Sequence, residues 1–348
     1  MRSNGVARLS ASVPAKTAAV CVPVRNEAAL LPRFLDALAA QRDAERFTLC
    51  VLFDGCEDDS AAIVAARATT LPFAVVAADA LAGDPNAGLA RRRAMALGLS
   101  VLSADDSMIV STDADSVPDP DWLVANRAAL EVADVAAGRI SRAGGAPNQV
   151  QDRVEAYYDA LFALRRTIDP VPWEAARTHH YTSGASLAFR KGVYRDLGGF
   201  EPLPSAEDAR LVDAAHRAGL RVRRDAAMRV ETSARRVGRA TGGLADHLRQ
   251  LDSGIAAATM AHPDDMVWRY RQHAAARLAW SDPDACEALA VEVGRDPGEI
   301  VRVAVTAINA EAFAMQIVIE TPGGERIISL EEAELALSAL RNDRRLAA

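Results

Sequence analysis

The sequence predicts an α/β fold: a mostly parallel sheet flanked by helices, followed by a helical C-terminal extension. Three observations lead there. The first half alternates short apolar runs with longer helical patterns. Those runs are continuously apolar, the mark of strands buried on both faces of a parallel sheet. From about residue 240 the chain turns Ala-rich and helical. Strands alternating with helices imply right-handed crossovers, and ligands in such sheets bind beyond the carboxyl ends of the strands.

In chain order, residues 1–17 ("MRSNGVARLSASVPAKT") lack any pattern and read as a loose tail. Strands are expected at 18–24 ("AAVCVPV"), 47–53 ("FTLCVLF"), 73–78 ("FAVVAA") and 107–112 ("SMIVST"), with helices between them at about 32–41, 60–69 and 88–102. Pro118 and "PDWL" (120–123) open a further helix. A strand follows at 134–140 ("DVAAGRI"), then a helix from Gln149 to about Thr167 and a turn-strand at 183–190 ("SGASLAFR"). The helix at 207–219 is closed by Gly219, which suits the left-handed position past a helix end. One or two short strands fill 220–233.

Composition narrows the function. Of 348 residues half are hydrophobic and a quarter charged, a globular balance, and the net charge of −7 excludes nucleic acid as the main partner. The basic residues are almost all Arg, Lys occurring only at 16 and 191. The four cysteines have no metal-ligand spacing, and Cys21 and Cys50 sit in apolar runs as small core residues, which fits a reducing cytoplasm. The N-terminus has no signal-peptide core and no apolar run nears the roughly 18–20 residues that span a bilayer, so the expected location is cytoplasmic, with no transmembrane segment.

The polar residues directly after the strands carry the functional signal. They are "RNE" (25–27), "DGCEDD" (54–59) and "DAD" (113–115), three acidic or amide clusters that a parallel sheet brings to one edge. Any one of them is equally an ordinary turn or helix cap; three in succession favour a site. A turn at Ala114 lets Asp113 and Asp115 both point past the strand end, where they can share one hard divalent cation. Mg²⁺ or Mn²⁺ held there can neutralise a diphosphate leaving group.

Beyond this, "VCVPVRNEAALLPRFLDAL", "DGCEDDS", "GLARRRAMALG", "STDADSVPDPDWL", "SGASLAFRKGVYRDLGGFEPLPSAEDARL" and "VETSARRVGRATGGL" occur in an order that resembles the family 2 glycosyltransferases of the GT-A fold. The resemblance covers about residues 18–245 and implies a Rossmann-like, mostly parallel sheet with a nucleotide-binding half (18–120) and an acceptor half (121–245), leaving 246–348 as a helical C-terminal region. It implies that Pro23, Arg25, Asn26 and Glu27 line a nucleotide pocket and that Asp54 contacts the base. Arg91 or a neighbour would reach the sugar-nucleotide, Asp113 the ribose or sugar, and Asp115 the metal. Glu207-Asp208 matches the family's "ED" pair, whose aspartate serves as catalytic base, and Arg236, with Arg235 and Arg239, would fold over the diphosphate or meet an anionic acceptor. Relatives place a further metal-binding His near 231–233; this chain has Glu231, Thr232 and Ser233, and the next His downstream is His247.

The chemistry requires these residue types. A sugar hydroxyl is a poor nucleophile, so a carboxylate must take its proton during attack. The departing nucleoside diphosphate needs fixed positive charge from a cation and Arg side chains. The expectation is a metal-dependent, inverting transfer from a UDP- or GDP-sugar to an unidentified hydroxyl acceptor. The bland alternative for Glu207-Asp208 is first-turn charge on a helix capped by Ser205. His179 and His180 either touch substrate or are structural, and Trp173, Tyr157 and Tyr158 form either a sugar platform or core. Trp122 anchors its helix, while the segment after 245, with Trp268 and Trp280, builds either the acceptor side or a homodimer contact.

Two other enzyme classes compete. A D-x-D phosphatase also follows an apolar strand with "DADSV", but needs a downstream Lys on the phosphoryl group, and Lys191 in "FRKGVY" sits at a helix start. A nucleotidyltransferase carries a Gly-rich loop after the first strand, and "VPVRNEAAL" has no glycine. A non-catalytic binding module would have no need of Asp115 and Glu207-Asp208.

Overall fold

The computed structural model describes residues 7–8, 17–80, 86–144, 147–238, 244–253 and 258–342. Most of the expected tail, together with Arg239, lies outside them. Among the described residues the main sheet orders nine strands: β1 (Ala7–Arg8), β4 (Ala74–Asp79), β3 (Phe47–Phe53), β2 (Ala18–Val24), β5 (Met108–Ser111), β8 (Leu187–Arg190), β7 (Val135–Ala143), β9 (Val222–Ser233) and β6 (Ser116–Pro118). β4, β3, β2 and β5 run parallel, with Ala18 in register with both Phe47 and Met108. β8 lies antiparallel between β5 and β7, and β9 runs parallel to β7.

Helices α1 (Leu31–Ala39), α2 (Ser60–Arg67), α3 (Ala87–Val101), α4 (Trp122–Val132), α5 (Gln149–Ile168), α6 (Lys191–Asp196), α7 (Glu207–Arg217) and α8 (Leu244–Asp252) connect or cover these strands. The apolar alternation of β2 and β3 feeds two cores. Val20, Val22, Leu49 and Val51 pack with Leu31, Phe34, Leu35 and Leu38 of α1, whose 3- and 4-residue spacing makes one buried stripe. Cys21 and Cys50 face the other side with Met95, Phe189 and Phe200. Gly98 of α3 is set tight on this side: a Cβ there would stand 2.3 Å from the Cys21 sulfur. The mostly parallel, helix-flanked α/β sheet with C-terminal helices is the architecture expected from the sequence.

Departures are local. Where the sequence predicts one or two short strands over 220–233, Val222–Ser233 forms one long strand, β9, with a register shift opposite Gly138–Ile140. β1 and β6 are edge pairings of two and three residues, too short to leave a periodicity, and Pro118 is tolerated in β6 because edge strands need not donate on both sides. Trp122 is fully buried, its indole N–H donating to Ser186 Oγ at 2.8 Å, and so anchors α4 as expected.

The C-terminal helices α9 (Pro263–Ala279), α10 (Pro283–Val293), α11 (Pro297–Thr306), α12 (Ala310–Ile317) and α13 (Leu330–Asn342), with the antiparallel pair β10 (Thr259–Ala261) and β11 (Ile327–Ser329), build further apolar clusters. Trp268 and Trp280 pack against the one around Phe313 and Leu289. Ion pairs join this region to the sheet domain. Glu311 of α12 accepts from His216 of α7 at 3.3 Å and from Arg277 at 2.7 Å, and Arg277 also grips Asp169 at the end of α5 at 2.5 Å. Tyr157 Oη donates to the Ala261 carbonyl at 2.7 Å, which puts Tyr157 in the core rather than on a sugar platform. No helix among the described residues is long and apolar enough to cross a membrane.

Burial opposes the charge of Glu311, but His216 and Arg277 prevail and pull it down to about 2. A depressed carboxylate stabilises the fold above its unfolded value near 4.5 and loses that contribution as pH falls toward 2. Glu311→Gln should therefore lose about 3 kcal/mol at pH 7 by urea denaturation. The gap from the parent should close as pH falls below about 4.5; a gap that stays constant with pH would show that these ion pairs contribute nothing.

Candidate active site

A cleft of about 420 Å³ opens at the carboxyl ends of β2, β3 and β5. The sheet supplies Pro23, Arg25, Glu27, Asp54, Asp113 and Asp115 to its floor; α3 adds Arg91, and the start of α7 adds Glu207 and Asp208. Three strand endings 30 to 60 residues apart thus converge because parallel strands end on the same side. Of the residues expected from the sequence, Asn26 and Arg236 are not among those lining the cleft. Asn26 sits at φ 52°, and its Oδ1 accepts the Glu57 N–H at 2.7 Å, which ties the "RNE" turn to the loop after β3. Arg25 reaches across the same junction to Asp54 at 3.2 Å. Arg236 turns to Asp252, and the arginine that enters the cleft is its neighbour Arg235.

Arg91 is not a free ligand but the hub of the cleft wall. Its side chain is one-tenth exposed and donates to Glu207 Oε1, Ser111 Oγ and the Gly184 carbonyl, each at 2.9 Å, and pairs with Asp113 at 2.9 Å. Burial opposes its charge, yet Asp113, Glu207 and Asp208 hold the proton on more firmly than in water. Gly184 is small for this reason, since a Cβ there would meet the Arg91 guanidinium carbon at 2.3 Å. Glu207, buried at 5 % exposure, is committed to Arg91.

Asp208 is the partner that faces the cleft. Its Oδ2 accepts the Gly184 N–H at 2.8 Å and its Oδ1 the Ala209 N–H at 2.7 Å. Each oxygen keeps a second lone pair for a hydroxyl proton. No side chain caps α7; Ala206 stands at the cap position in the left-handed region (φ 62°), so Ser205 does not take that role. A non-glycine residue there costs about 1 kcal/mol or more, and the turn it makes aims Glu207 into the wall and Asp208 at the cavity.

At the opposite end Asp115 and Glu27 share Arg235. The guanidinium grips Glu27 with two bonds of 2.5 and 2.6 Å and reaches Asp115 Oδ2 at 3.2 Å; Thr232 Oγ1 lies 3.5 Å from Asp115 Oδ1. Burial first, then the charges of Asp113 and Glu27, push the Asp115 carboxyl up to about 7 against the pull of Arg235. The donor set here is all hard oxygen, the chemistry Mn²⁺ and Mg²⁺ prefer, and its surplus negative charge suits a divalent ion. Among the described residues no group of three or more His, Cys, Asp or Glu is arranged to hold a metal. An ion at this place would be held by Asp115, with Asp113 beside it, and would need further ligands from outside the protein.

Other candidates fall outside the cleft. His179 is buried, bonded to the Ala137 carbonyl at 3.2 Å and held neutral by burial, down to about 3. His180 pairs with Asp159 at 2.8 Å and stacks on Tyr181. Trp173 N–H donates to the Val222 carbonyl, and His247 turns to Gln151. Lys191 begins α6 and bonds the Leu102 carbonyl, far from the position a phosphatase lysine needs.

Arg91→Ala would leave Glu207 buried without its counter-charge and should cost about 3–5 kcal/mol in urea unfolding. Gly184→Ala should reproduce part of that loss by displacing the guanidinium. A loss under about 1 kcal/mol for Arg91→Ala, the value of an exposed pair, would show that this network does not hold the wall together.

A family model described as glycosyl transferase family 2 matches residues 19–197. Among solved structures, the chain is similar to TarS residues 1–349 from S. aureus in complex with UDP-GlcNAc, at 15% identity over 86% of this chain and 88% of that one, with a TM-score of 0.47. It is similar to the mannosyltransferase PcManGT from Pyrobaculum calidifontis in complex with GDP-Man and Mn²⁺, at 18% identity over 87% and 88%, with a TM-score of 0.45. A third is glucosyl-3-phosphoglycerate synthase from Mycobacterium tuberculosis in complex with Mn²⁺, UDP-glucose and phosphoglyceric acid, at 19% identity over 70% and 84%, with a TM-score of 0.43. No match to a curated protein is found. The matched segment takes in β2 to β8 and so carries every strand ending of the cleft; the chain belongs to glycosyl transferase family 2 and is a glycosyltransferase.

Proposed function

We propose that the protein transfers a sugar from a UDP- or GDP-linked donor to a hydroxyl acceptor with inversion, using residues 18–245 as the catalytic unit and Asp208 as the base. The observation that carries this reading is that Asp208 lines the same cleft as Asp113 and Asp115, its carboxylate held by two backbone N–H groups. A donor laid along the strand ends would put its base near Asp54 and Arg25 and its diphosphate near Asp113 and Asp115, leaving the anomeric carbon toward α7.

In that pose the acceptor hydroxyl lies between Asp208 and the anomeric carbon. As its oxygen attacks, its proton passes to an Asp208 carboxylate oxygen, the bond from the anomeric carbon to the diphosphate oxygen breaks, and the nucleoside diphosphate leaves with the electron pair. Attack from the face opposite the leaving group inverts the centre. Mn²⁺ or Mg²⁺ at Asp115, with Asp113 beside it, would supply positive charge to the departing diphosphate. Arg91 holds Glu207 and Gly184 so that Asp208 keeps its aim, and Arg235 brings a second guanidinium within the cleft. Ser183 and Pro204 line the cleft with Asp208 and would meet the acceptor.

Asp208→Asn should retain nucleotide binding, measured by calorimetry with UDP and GDP in Mn²⁺, while release of nucleotide from a panel of UDP- and GDP-sugars falls by about a hundredfold or more. Full turnover in this variant would remove Asp208 from the role of base. Absence of binding by any UDP or GDP species to the parent protein would sink the donor assignment itself.

A further inference from the structure

Arg235 occupies ground that a divalent ion would need. Glu27 and Asp115 are nearly dry, with side chains 7% and 15% exposed, and one guanidinium answers both. Asp113, beside them, is engaged by Arg91. The two arginines differ in how they are held. Arg91 is fixed by four partners on three elements inside the wall. Arg235 follows the end of β9 in a segment without helix or strand, its side chain is one-quarter exposed, and among the described residues its guanidinium bonds to Glu27 and Asp115 alone. Its neighbour Arg236 is tied to Asp252 instead, outside the cleft.

We propose that Arg235 is a resident counter-cation, which holds the place of a divalent ion against Asp115 in the nucleotide-free protein and yields it when a diphosphate enters. An ion of charge +2 at Asp115 and a guanidinium within about 3–4 Å of the same carboxylate repel each other strongly in so dry a site, so the two are alternative partners. A diphosphate resolves the competition by offering the displaced guanidinium two oxygens in the planar fork geometry it prefers. Metal and nucleotide then bind with mutual assistance, each raising the affinity of the other by the same factor. The second half of this inference rests on the donor reading above; the first half, the exclusion of metal by Arg235, does not.

The test is titration of the nucleotide-free protein with Mn²⁺ followed by electron paramagnetic resonance, repeated with saturating UDP and with GDP. The parent should bind Mn²⁺ weakly alone and at least about tenfold more tightly with the nucleotide it accepts. Arg235→Ala should bind Mn²⁺ alone about tenfold or more tightly than the parent and lose most of the nucleotide enhancement, whereas Arg235→Lys, which keeps the charge, should stay within about threefold of the parent. Arg235→Ala binding Mn²⁺ no more tightly than the parent would overturn the proposal. So would a parent protein that binds Mn²⁺ equally well with and without nucleotide, a measurement that decides the matter even if Arg235→Ala does not fold. If neither UDP nor GDP binds, the donor reading fails, while the comparison of parent and Arg235→Ala in Mn²⁺ alone still decides the role of Arg235.

Discussion

The cleft depends on one buried cation. Arg91 joins β5 through Ser111 and Asp113, the turn before β8 through the Gly184 carbonyl, and α7 through Glu207, contacts separated by 20, 93 and 116 residues in sequence. Stripping water from a guanidinium is costly, and only the surrounding carboxylates and carbonyl make it tolerable. The backbone conforms to it. Gly184 has no room for a Cβ beside Arg91, and Gly88, one turn earlier on α3, has none beside the Glu201 carbonyl at 2.2 Å. The Gly88 N–H donates to the Leu203 carbonyl at 2.9 Å, which docks the start of α3 under the loop that delivers α7. The start of α7, the turn before β8 and the end of β5 are thereby one mechanical unit.

What the sequence disclosed and what it hid follow from the range of the forces involved. β2 and β3 are legible to the residue because strands covered on both faces need continuous apolar side chains, and "AAVCVPV" and "FTLCVLF" are such runs. The three polar endings are legible as a site because parallel topology alone brings them together. The identity of the cleft arginine is not: Arg235 and Arg236 are adjacent, and which one turns inward depends on how β9 ends against β7, a long-range pairing with a register shift. Arg91 was visible as a basic residue at the right helix but not as a structural one, because its partners come from distant segments. Glu207 reads in the sequence only as the neighbour of Asp208, and its contact with Arg91 is hidden for the same reason.

Charge in the cleft is divided by how it is held. Beside α7 the negative charge is locked, with Glu207 neutralised by Arg91 and Asp208 clasped by backbone N–H groups. Beside β2 and β5, Glu27 and Asp115 are answered by a one-quarter-exposed loop arginine. Such a partition matches the chemistry of a transferase, in which the base must keep one orientation while the region around a diphosphate must accept and release charge at every turnover.

The C-terminal helices give α7 a second attachment. Its inner end carries Asp208, while its outer end is held by the His216–Glu311 pair and by Asn309, whose side chain donates to the Gly219 carbonyl at 2.8 Å. α7 packs into the apolar cluster of Phe189 and Phe200 through Leu211, Val212 and Ala215 and is tied by polar contacts to α12, so it cannot open locally without disturbing both, and its amide protons should belong to the cooperative unit that exchanges last. The C-terminal helices, none of whose described residues lines the cleft, thereby set how seldom Asp208 strays from its place.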